Sequence, residues 1–473
     1  MKNVYAYIDT KREKVQYRPL KERKKDYKEV ELRRTDTIID RQAGRCMNCG
    51  TPFCHNNCPL GNYIPEWNDL AKEGKWKEAW ERLSLTSPFP EFTGRLCPAL
   101  CEGGCVLGIN DDPVTIRQNE LDIIEKAFQL GYVKPVLPKK RTGKNIAIIG
   151  SGPAALSAAH YLNRKGHCVE VFERSAKPGG FLRYGIPDFK LDKSIIDRRI
   201  TIMREEGIVF TCSTEIGITK DAKKLLQDYD AVILACGTRS CRGMNVSGST
   251  SSAVIQAVDY LTASNKAVSK EETLPSHLCA SGKRVVVIGG GDTGSDCVGT
   301  ANRQGSLSVH QIEIMDKLPE KRPLNQSWPE FPRLFKHTSS HEEGVTQDYC
   351  VLTKSFQVNA DGKLEGLNCA KVQWDFSSGK PVMKEIDNSD FFIQADMVIL
   401  AMGFTGAEDS KMLKDLGLPL SSRSIVETDT EYKTSIEGVF ACGDMRRGQS
   451  LIVHALTEGK YTAQAVDHWL MNK

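Results

Sequence analysis

Two apolar runs in this chain each break into a glycine-rich turn that opens a helix, and this pairing constrains the fold most strongly. The first reads Asn145-Ile-Ala-Ile-Ile-Gly150-Ser-Gly152-Pro153-Ala154-Ala155, and the second Val285-Val-Val-Ile-Gly289-Gly-Gly291-Asp292-Thr293-Gly294. In such a turn the first glycine permits the tight bend. The second lets the backbone approach a pyrophosphate, and the third small residue lets helix and strand pack closely. The helix N-terminus then faces the phosphates with free N–H groups. Other short apolar runs, at 169–172, 231–235, 397–401 and 439–441, alternate with helical stretches. That is the mark of parallel strands layered with helices. The chain is therefore expected to hold two Rossmann-like dinucleotide-binding units, and its 473 residues leave room for a further domain.

The residues around the first loop favour FAD there. Glu173 ends the next strand, at the place of a ribose-binding acid. Pro178-Gly179-Gly180 and Arg183-Tyr184-Gly185-Ile186-Pro187 follow, and Ala235-Cys236-Gly237-Thr238 closes a later strand. Near the C-terminus, Val439-Phe-Ala-Cys-Gly443-Asp444 precedes Gln449-Ser450-Leu451 and a final helix. A strand ending in Gly-Asp puts Asp444 within reach of a flavin's ribityl hydroxyls. The second loop is left for the nicotinamide cofactor, with Ala401-Met402-Gly403 closing its domain. Glu313, near the end of the following strand, favours NADH. Lys317, Lys321 and Arg322 in the next loop, with Arg303 earlier on the helix, offer cations for the 2′-phosphate of NADPH. The expectation is NADPH, with NADH the alternative.

The first 140 residues differ in kind. They are rich in Cys, Trp, Lys and Glu, carry helix-like stretches at 65–85 and 116–130, and show no strong strand signal. Cys46-x2-Cys49-x4-Cys54-x3-Cys58-Pro59 is followed by Cys97-Pro98-x2-Cys101-x3-Cys105. The first run is similar to the two-cluster ferredoxin pattern, with a longer middle gap. Thiolates suit zinc or iron–sulfur. Zinc is the structural alternative, but seven cysteines do not divide into two four-cysteine sites, and zinc offers no route for electrons. Beside a flavin and a nicotinamide site, iron–sulfur is the expectation. Two cubanes need an eighth ligand from another residue. His55 lies inside the first run as a bystander.

Sixteen cysteines without an export signal point to metal or redox chemistry in a reducing compartment, most simply the cytosol. The polar start, Met1 to Lys14, lacks a signal peptide's apolar core, and no apolar run approaches the roughly 18 residues of a membrane span. A net charge of +4 gives no support for nucleic-acid or membrane binding. The spacing of Cys236 and Cys241 matches a redox disulfide, but they follow a strand-end turn rather than adjoin the first glycine loop. Pro135, Pro138 and Lys139-Lys140-Arg141 read as a linker, and 319–340 as a loop.

Ordered along the chain, these motifs resemble the small (β) subunits of bacterial-type glutamate synthases over nearly the full length. The matching stretches are Arg45-Cys-Met-Asn-Cys-Gly-Thr-Pro-Phe-Cys54, Asn62-Tyr-Ile-Pro-Glu-Trp67, Phe89-Pro-Glu-Phe-Thr-Gly-Arg-Leu-Cys-Pro98 and Tyr184-Gly-Ile-Pro-Asp-Phe-Lys190-Leu191. They continue with Gly289-Gly-Gly-Asp-Thr-Gly-Ser-Asp-Cys297 and Ala441-Cys-Gly-Asp-Met-Arg-Arg-Gly-Gln-Ser450. The resemblance implies an N-terminal α-helical domain (1–140) with two [4Fe–4S] clusters. An FAD-binding domain (141–265 and 405–473) follows, interrupted by an NAD(P)H-binding domain (266–404). It also implies that Cys46, Cys49, Cys54 and Cys105 serve one cluster and Cys58, Cys97, Cys101 and Glu120 the other. Lys190, in the fourth stretch, joins the cofactor-binding set. Where relatives carry paired arginines for the 2′-phosphate, this chain reads Glu313-Ile314-Met315-Asp316. The implied activity is NADPH oxidation through FAD. Electrons would pass to a large subunit carrying FMN and an iron–sulfur cluster, which makes L-glutamate from glutamine and 2-oxoglutarate. No catalytic acid, base or nucleophile is expected. A stand-alone oxidoreductase reducing ferredoxin or another acceptor is the runner-up, and a zinc-containing interaction protein the alternative of another class.

Overall fold

The computed structural model describes residues 5–377, 379 and 381–472. Met1 and the three residues after it, which begin the polar N-terminus, lie outside these. Two five-stranded parallel sheets form its centre. The first runs in the order Val439–Ala441, Ala231–Leu234, Asn145–Ile149, Cys168–Phe172, Val209–Thr211. The second runs Val254–Gln256, Met397–Leu400, Arg284–Ile288, Ser308–Ile312, Thr346–Asp348. The central strands are buried along nearly their whole length, which is why each is an unbroken apolar run rather than an alternating one. The second sheet has helices on one face and antiparallel strands on the other, whereas helices cover both faces of the first, most closely where Pro153–Arg164 lies against the C-terminal helix Ile452–Met471. Gly459 makes that approach possible, since a Cβ there would stand 2.2 Å from Ala154 O.

The boundary expected at residue 266 is corrected. Val254–Gln256 pairs in register with Val398–Leu400, and Ala257–Val268 packs with it, so both belong to the second unit. The crossing points are Ser240–Cys241 and Phe404–Gly406, which pair antiparallel between the two domains. The second unit also carries an antiparallel sheet, Val351–Val358, Leu364–Asp375, Val382–Glu385 and Phe391–Gln394, that the sequence did not signal.

The N-terminal domain is helical, with an isolated bridge between Tyr17 and Glu31. Its stretch at 65–85 is two helices, Ile64–Lys72 and Trp76–Ser84. Gly74 breaks them by taking φ +70°, a conformation that favours glycine. Ile116–Gln129 is a single helix, as its periodicity suggested. The domain docks on the first unit through ion pairs, among them a buried Glu91–Arg199 contact of 2.6 Å. Among the described residues, no helix is long and apolar enough to cross a membrane.

Candidate functional site

A cleft of about 770 Å³ opens at the C-terminal edge of the first sheet. Its walls bring together Gly150, Gly152, Pro153, Ala154, Glu173, Gly180, Gly237, Asp444 and Ser450 from five separate stretches of chain. Gly150 has φ +98°, and a Cβ there would sit 2.5 Å from Ala235 O. Gly152 has nothing within 4 Å of where its Cβ would be, so its backbone is open to an approaching group. The helix Pro153–Arg164 begins at this point. Ala155 lies behind the loop, fully buried, where helix meets strand. Glu173 accepts from the Ser151 hydroxyl and from Ser175 N (2.7 Å). Gly443 N donates to Glu458 Oε2 (2.9 Å), turning the Gly-Asp corner. Ser450 Oγ donates to Asp444 Oδ1 (2.6 Å), and burial pushes the Asp444 carboxyl up to about 6. A glycine-lined backbone at a helix N-terminus, with acids at both ends of the cleft, fits a dinucleotide such as FAD.

The second loop repeats this construction. Gly289 (φ +123°) could not carry a Cβ, which would stand 2.3 Å from Ala401 O. Gly294 could not either, because Gly289 O would lie 2.2 Å away. Gly291 is open, and Asp292 and Thr293 start the helix Asp292–Arg303. Glu313 folds back onto the loop, accepting from Gly290 N (2.6 Å) and Met315 N (3.0 Å). Gly403 abuts Gln449, whose Oε1 accepts from Phe404 N (3.0 Å).

Three residues expected at the cofactors are held elsewhere. Arg322 donates to Glu330 O (2.7 Å) and to Gly103 O in the helical domain (3.0 Å), so it ties a loop rather than waiting for a 2′-phosphate. Arg183 supports the Pro178-Gly179-Gly180 turn from behind, bonding Pro178 O (2.7 Å) and Asp197 (2.5 Å). Lys190 pairs with Asp296 on the second glycine-loop helix, a contact between domains. Arg303 is also committed, to Glu343. The sequence missed the Phe181–Phe404 stack at the domain junction, with centroids 5.5 Å apart. Nothing local signals it, because the rings are far apart in the chain.

The cysteines fall into two groups. Cys46, Cys49, Cys54 and Cys105 line one apolar cavity with Ile64, Leu107, Val114 and Ile116. Burial pushes the Cys46 thiol up to about 12, and the neighbouring Cys105 and Cys49 add to the rise. Burial raises Cys54 too, reinforced by Cys46, Cys105 and Cys49. Cys58, Cys97 and Cys101 form the second group around Glu120. Burial lifts Cys58 to about 11 and Cys97 to about 12, with Glu120 contributing to both. Glu120 itself is lifted to about 7 by burial, against hydrogen bonds from Thr93 Oγ1 (2.7 Å) and Ser87 Oγ (3.3 Å). Thiols packed this way oppose one another's ionisation, and a cationic metal group is what would relieve them. Among the described residues no three His, Cys, Asp or Glu side chains converge as the ligands of a single metal ion; the first group surrounds a cavity instead. His55 is occupied, its Nε2 accepting from Ile64 N (3.0 Å). The second group faces the first dinucleotide domain. Lys460 of the C-terminal helix lies close enough to Cys58 to feel its charge, and Tyr161 Oη donates to Thr86 O (3.4 Å).

Comparison with known proteins matches this arrangement from end to end. The pyridine nucleotide-disulphide oxidoreductase family model matches residues 144–459. The model described as dihydropyrimidine dehydrogenase domain II, 4Fe-4S cluster, matches residues 23–131. The glutamate synthase [NADPH] small chain of Mycobacterium tuberculosis is 48% identical over 458 residues, covering 96% of this chain and 93% of that one. This chain belongs to the glutamate synthase small-chain family. The Bacillus subtilis small chain is 44% identical, with 98% of both chains covered. Glutamate synthase [NADH] of Schizosaccharomyces pombe is 42% identical over 98% of this chain, but the match spans only 22% of that longer polypeptide. Among solved structures, Mycobacterium tuberculosis FprA in complex with NADPH has a TM-score of 0.56 at 19% identity, covering 70% of this chain and 85% of that one. It shares the fold. As a small-chain family member, the protein is an NAD(P)H oxidoreductase whose helical domain is of the iron–sulfur type.

Proposed function

We propose that this chain is the electron-input subunit of a glutamate synthase. It oxidises NADPH at the second dinucleotide domain and delivers electrons through FAD and two [4Fe–4S] clusters. The acceptor is a large subunit carrying FMN and an iron–sulfur cluster, which forms L-glutamate from glutamine and 2-oxoglutarate. The observation that carries this reading is 44–48% identity to small chains over nearly the full length, in a chain whose loops, cleft and cysteine groups fit all three kinds of group. The match to part of the long Schizosaccharomyces pombe polypeptide supports a large partner. A cytoplasmic site of action fits the free cysteines.

Gly150, Gly152 and the helix start at Pro153 would hold the pyrophosphate of FAD. Glu173 would take its adenosine ribose, and Asp444, braced by Ser450, its ribityl chain. Gly289, Gly291 and the Asp292–Gly294 turn hold the nicotinamide dinucleotide. Cys46, Cys49, Cys54 and Cys105 hold one cluster, and Cys58, Cys97, Cys101 and Glu120 the other. When bound, the flavin accepts an electron pair and the clusters single electrons. The protein's contribution is orientation, exclusion of water and the electrostatics of these buried groups.

One observation favours NADH as a second reading. Glu313 turns its carboxylate onto the Gly290 amide, and Arg322 and Arg303 are committed elsewhere. The ratio of kcat/KM for the two nucleotides decides, and a tenfold preference for NADH would replace NADPH in this account. The wider reading is tested by mixing the purified chain with the large subunit. Nicotinamide-dependent glutamate formation is expected. A chain that reduces ferredoxin unaided, with no gain from the large subunit, would favour a stand-alone oxidoreductase.

A further inference from the structure

Residues 16–32 fold into a closed strap that touches all three domains. Leu32 N donates to Gln16 O (2.8 Å) and Arg18 N to Val30 O (2.9 Å), and Arg18 grips Asp26 through two bonds across the turn. Toward the helical domain, Glu29 meets Arg95 at 2.5 Å and Glu31 meets Arg117 at 3.1 Å. Toward the flavin domain, Val30 N donates to Phe189 O (3.0 Å) and Asp192 N to Glu29 Oε1 (3.2 Å). Toward the nicotinamide domain stands Arg23, only 2% exposed. It donates to Ser339 O (2.9 Å) and Glu342 Oε2 (2.6 Å), and its Nε lies 3.1 Å from Glu343 Oε1. Arg303, from the second glycine-loop helix, shares Glu343, donates to Asp26 O (2.9 Å) and lies over the Phe189 ring at 3.9 Å.

This network ends on the nucleotide-binding helix itself. The short helix Ser339–Glu342 that Arg23 grips is bonded to it through Thr338 and Ser295 hydroxyls (2.6 Å). Gly299 of that helix leaves room for both Ser340 and Phe189, whose atoms would stand 2.5 and 2.8 Å from a Cβ. A buried cluster of two guanidiniums and a shared carboxylate adds little net stability over an apolar one. What it does supply is a fixed direction, since each planar fork accepts its partners in one geometry. The two dinucleotide domains also meet at the two short crossing strands, at the Lys190–Asp296 pair and where Asn265 Nδ2 donates to Tyr184 O (2.9 Å) and Ile186 O (3.1 Å); the strap is the tie that braces both of them against the helical domain at once.

We propose that Arg23 is a positioning residue for the nicotinamide–flavin step. Through Glu342, Glu343 and Arg303, the strap sets the angle of the nicotinamide domain on the flavin domain, so that the nucleotide arrives in register with the flavin. This rests on the function proposed above. Misplacement by about 1 Å can cost about 100-fold in rate while leaving binding intact.

The test is anaerobic stopped-flow reduction of the flavin in the full-length holoprotein. Arg23→Ala is expected to slow reduction at saturating nucleotide at least tenfold. Flavin and iron content should stay full and the Kd for oxidised nucleotide within twofold. Arg23→Lys should recover part of the rate, and Glu29→Gln, at the other end of the strap, should slow it in the same sense. Wild-type rates in both Arg23→Ala and Glu29→Gln would overturn the proposal. So would a loss of nucleotide affinity in Arg23→Ala that accounts for its whole loss of rate. A wild-type protein whose bound flavin neither nucleotide reduces would instead remove the proposed function, and the strap's role with it.

Discussion

Glu120 is a buried carboxylate whose hydrogen bonds come from two hydroxyls, Thr93 and Ser87, and which lies close enough to Cys58, Cys97 and Cys101 to raise all three thiols. That is a poor place for a structural glutamate and a good one for a metal ligand. Glu120→Ala is expected to lose about half of the iron and one set of cluster EPR signals, while FAD content stays unchanged; full iron content would remove Glu120 from the ligand set. The seven cysteines stood out by their short gaps within two runs, but which run supplies which group was not legible from spacing, because Cys105 joins Cys46, Cys49 and Cys54 only in the fold. Glu120 had no such local sign and entered only through resemblance. His341 is a residue of another kind. Buried, and next to His337 and Lys190, it is held down to about 4, against about 6.5 in an unfolded chain. Between those values the unfolded state binds more protons, so stability rises with pH. The contribution is complete above about pH 6.5 and lost as pH falls toward about 4, with a ceiling of about 3 kcal/mol. Urea midpoints at pH 7.5 and 5.5 should show this loss in the wild type and a smaller one in His341→Gln.

At the scale of elements, the first glycine-loop helix owes its position to the C-terminal helix. A methyl group at Gly459 would press on Ala154 O, at the start of the phosphate-facing turn, and on Ser157. Gly459→Ala should therefore cost about 1–3 kcal/mol of stability and lower retained FAD several-fold, read by flavin release and thermal unfolding. Retention of FAD at wild-type level would show that the two helices can part without disturbing the loop. The central strands were legible because they are buried on both faces and so read as continuous apolar runs. Val254–Gln256 was not, being three residues long and paired with a strand that returns only at Met397–Leu400. The antiparallel sheet was missed for a different reason. Its edge strand Val382–Glu385 is exposed throughout and reads Val-Met-Lys-Glu, with no alternation of apolar and polar residues to mark it. The break at Gly74 was hidden inside a stretch whose helical period continues on both sides.

On the scale of the whole molecule, the helical and flavin domains share one buried apolar cluster, from Trp67 and Phe89 to Leu156 and Leu456, and charged contacts add to it and reach the nicotinamide domain. Glu125 joins Arg95 and Arg198 across the helical and flavin domains, Lys190 joins Asp296 across the two dinucleotide domains, and Arg322 reaches from the nicotinamide-side loop to Gly103. Arg183, Lys190 and Arg322 stood in the sequence beside cofactor motifs, and only the fold shows that they hold domains and turns together. Arg322→Ala is expected to loosen the 319–340 loop, seen as faster hydrogen exchange there, without a change in the NADPH-to-NADH preference. A shift of that preference by tenfold would restore Arg322 as a cofactor residue.

The most direct test is an anaerobic NADPH titration of freshly purified protein, followed as a visible spectrum. A flavin band that bleaches with about one nucleotide per chain, over the broad absorbance of iron–sulfur clusters, is expected. A colourless protein, or a flavin band that neither NADPH nor NADH bleaches, would contradict it.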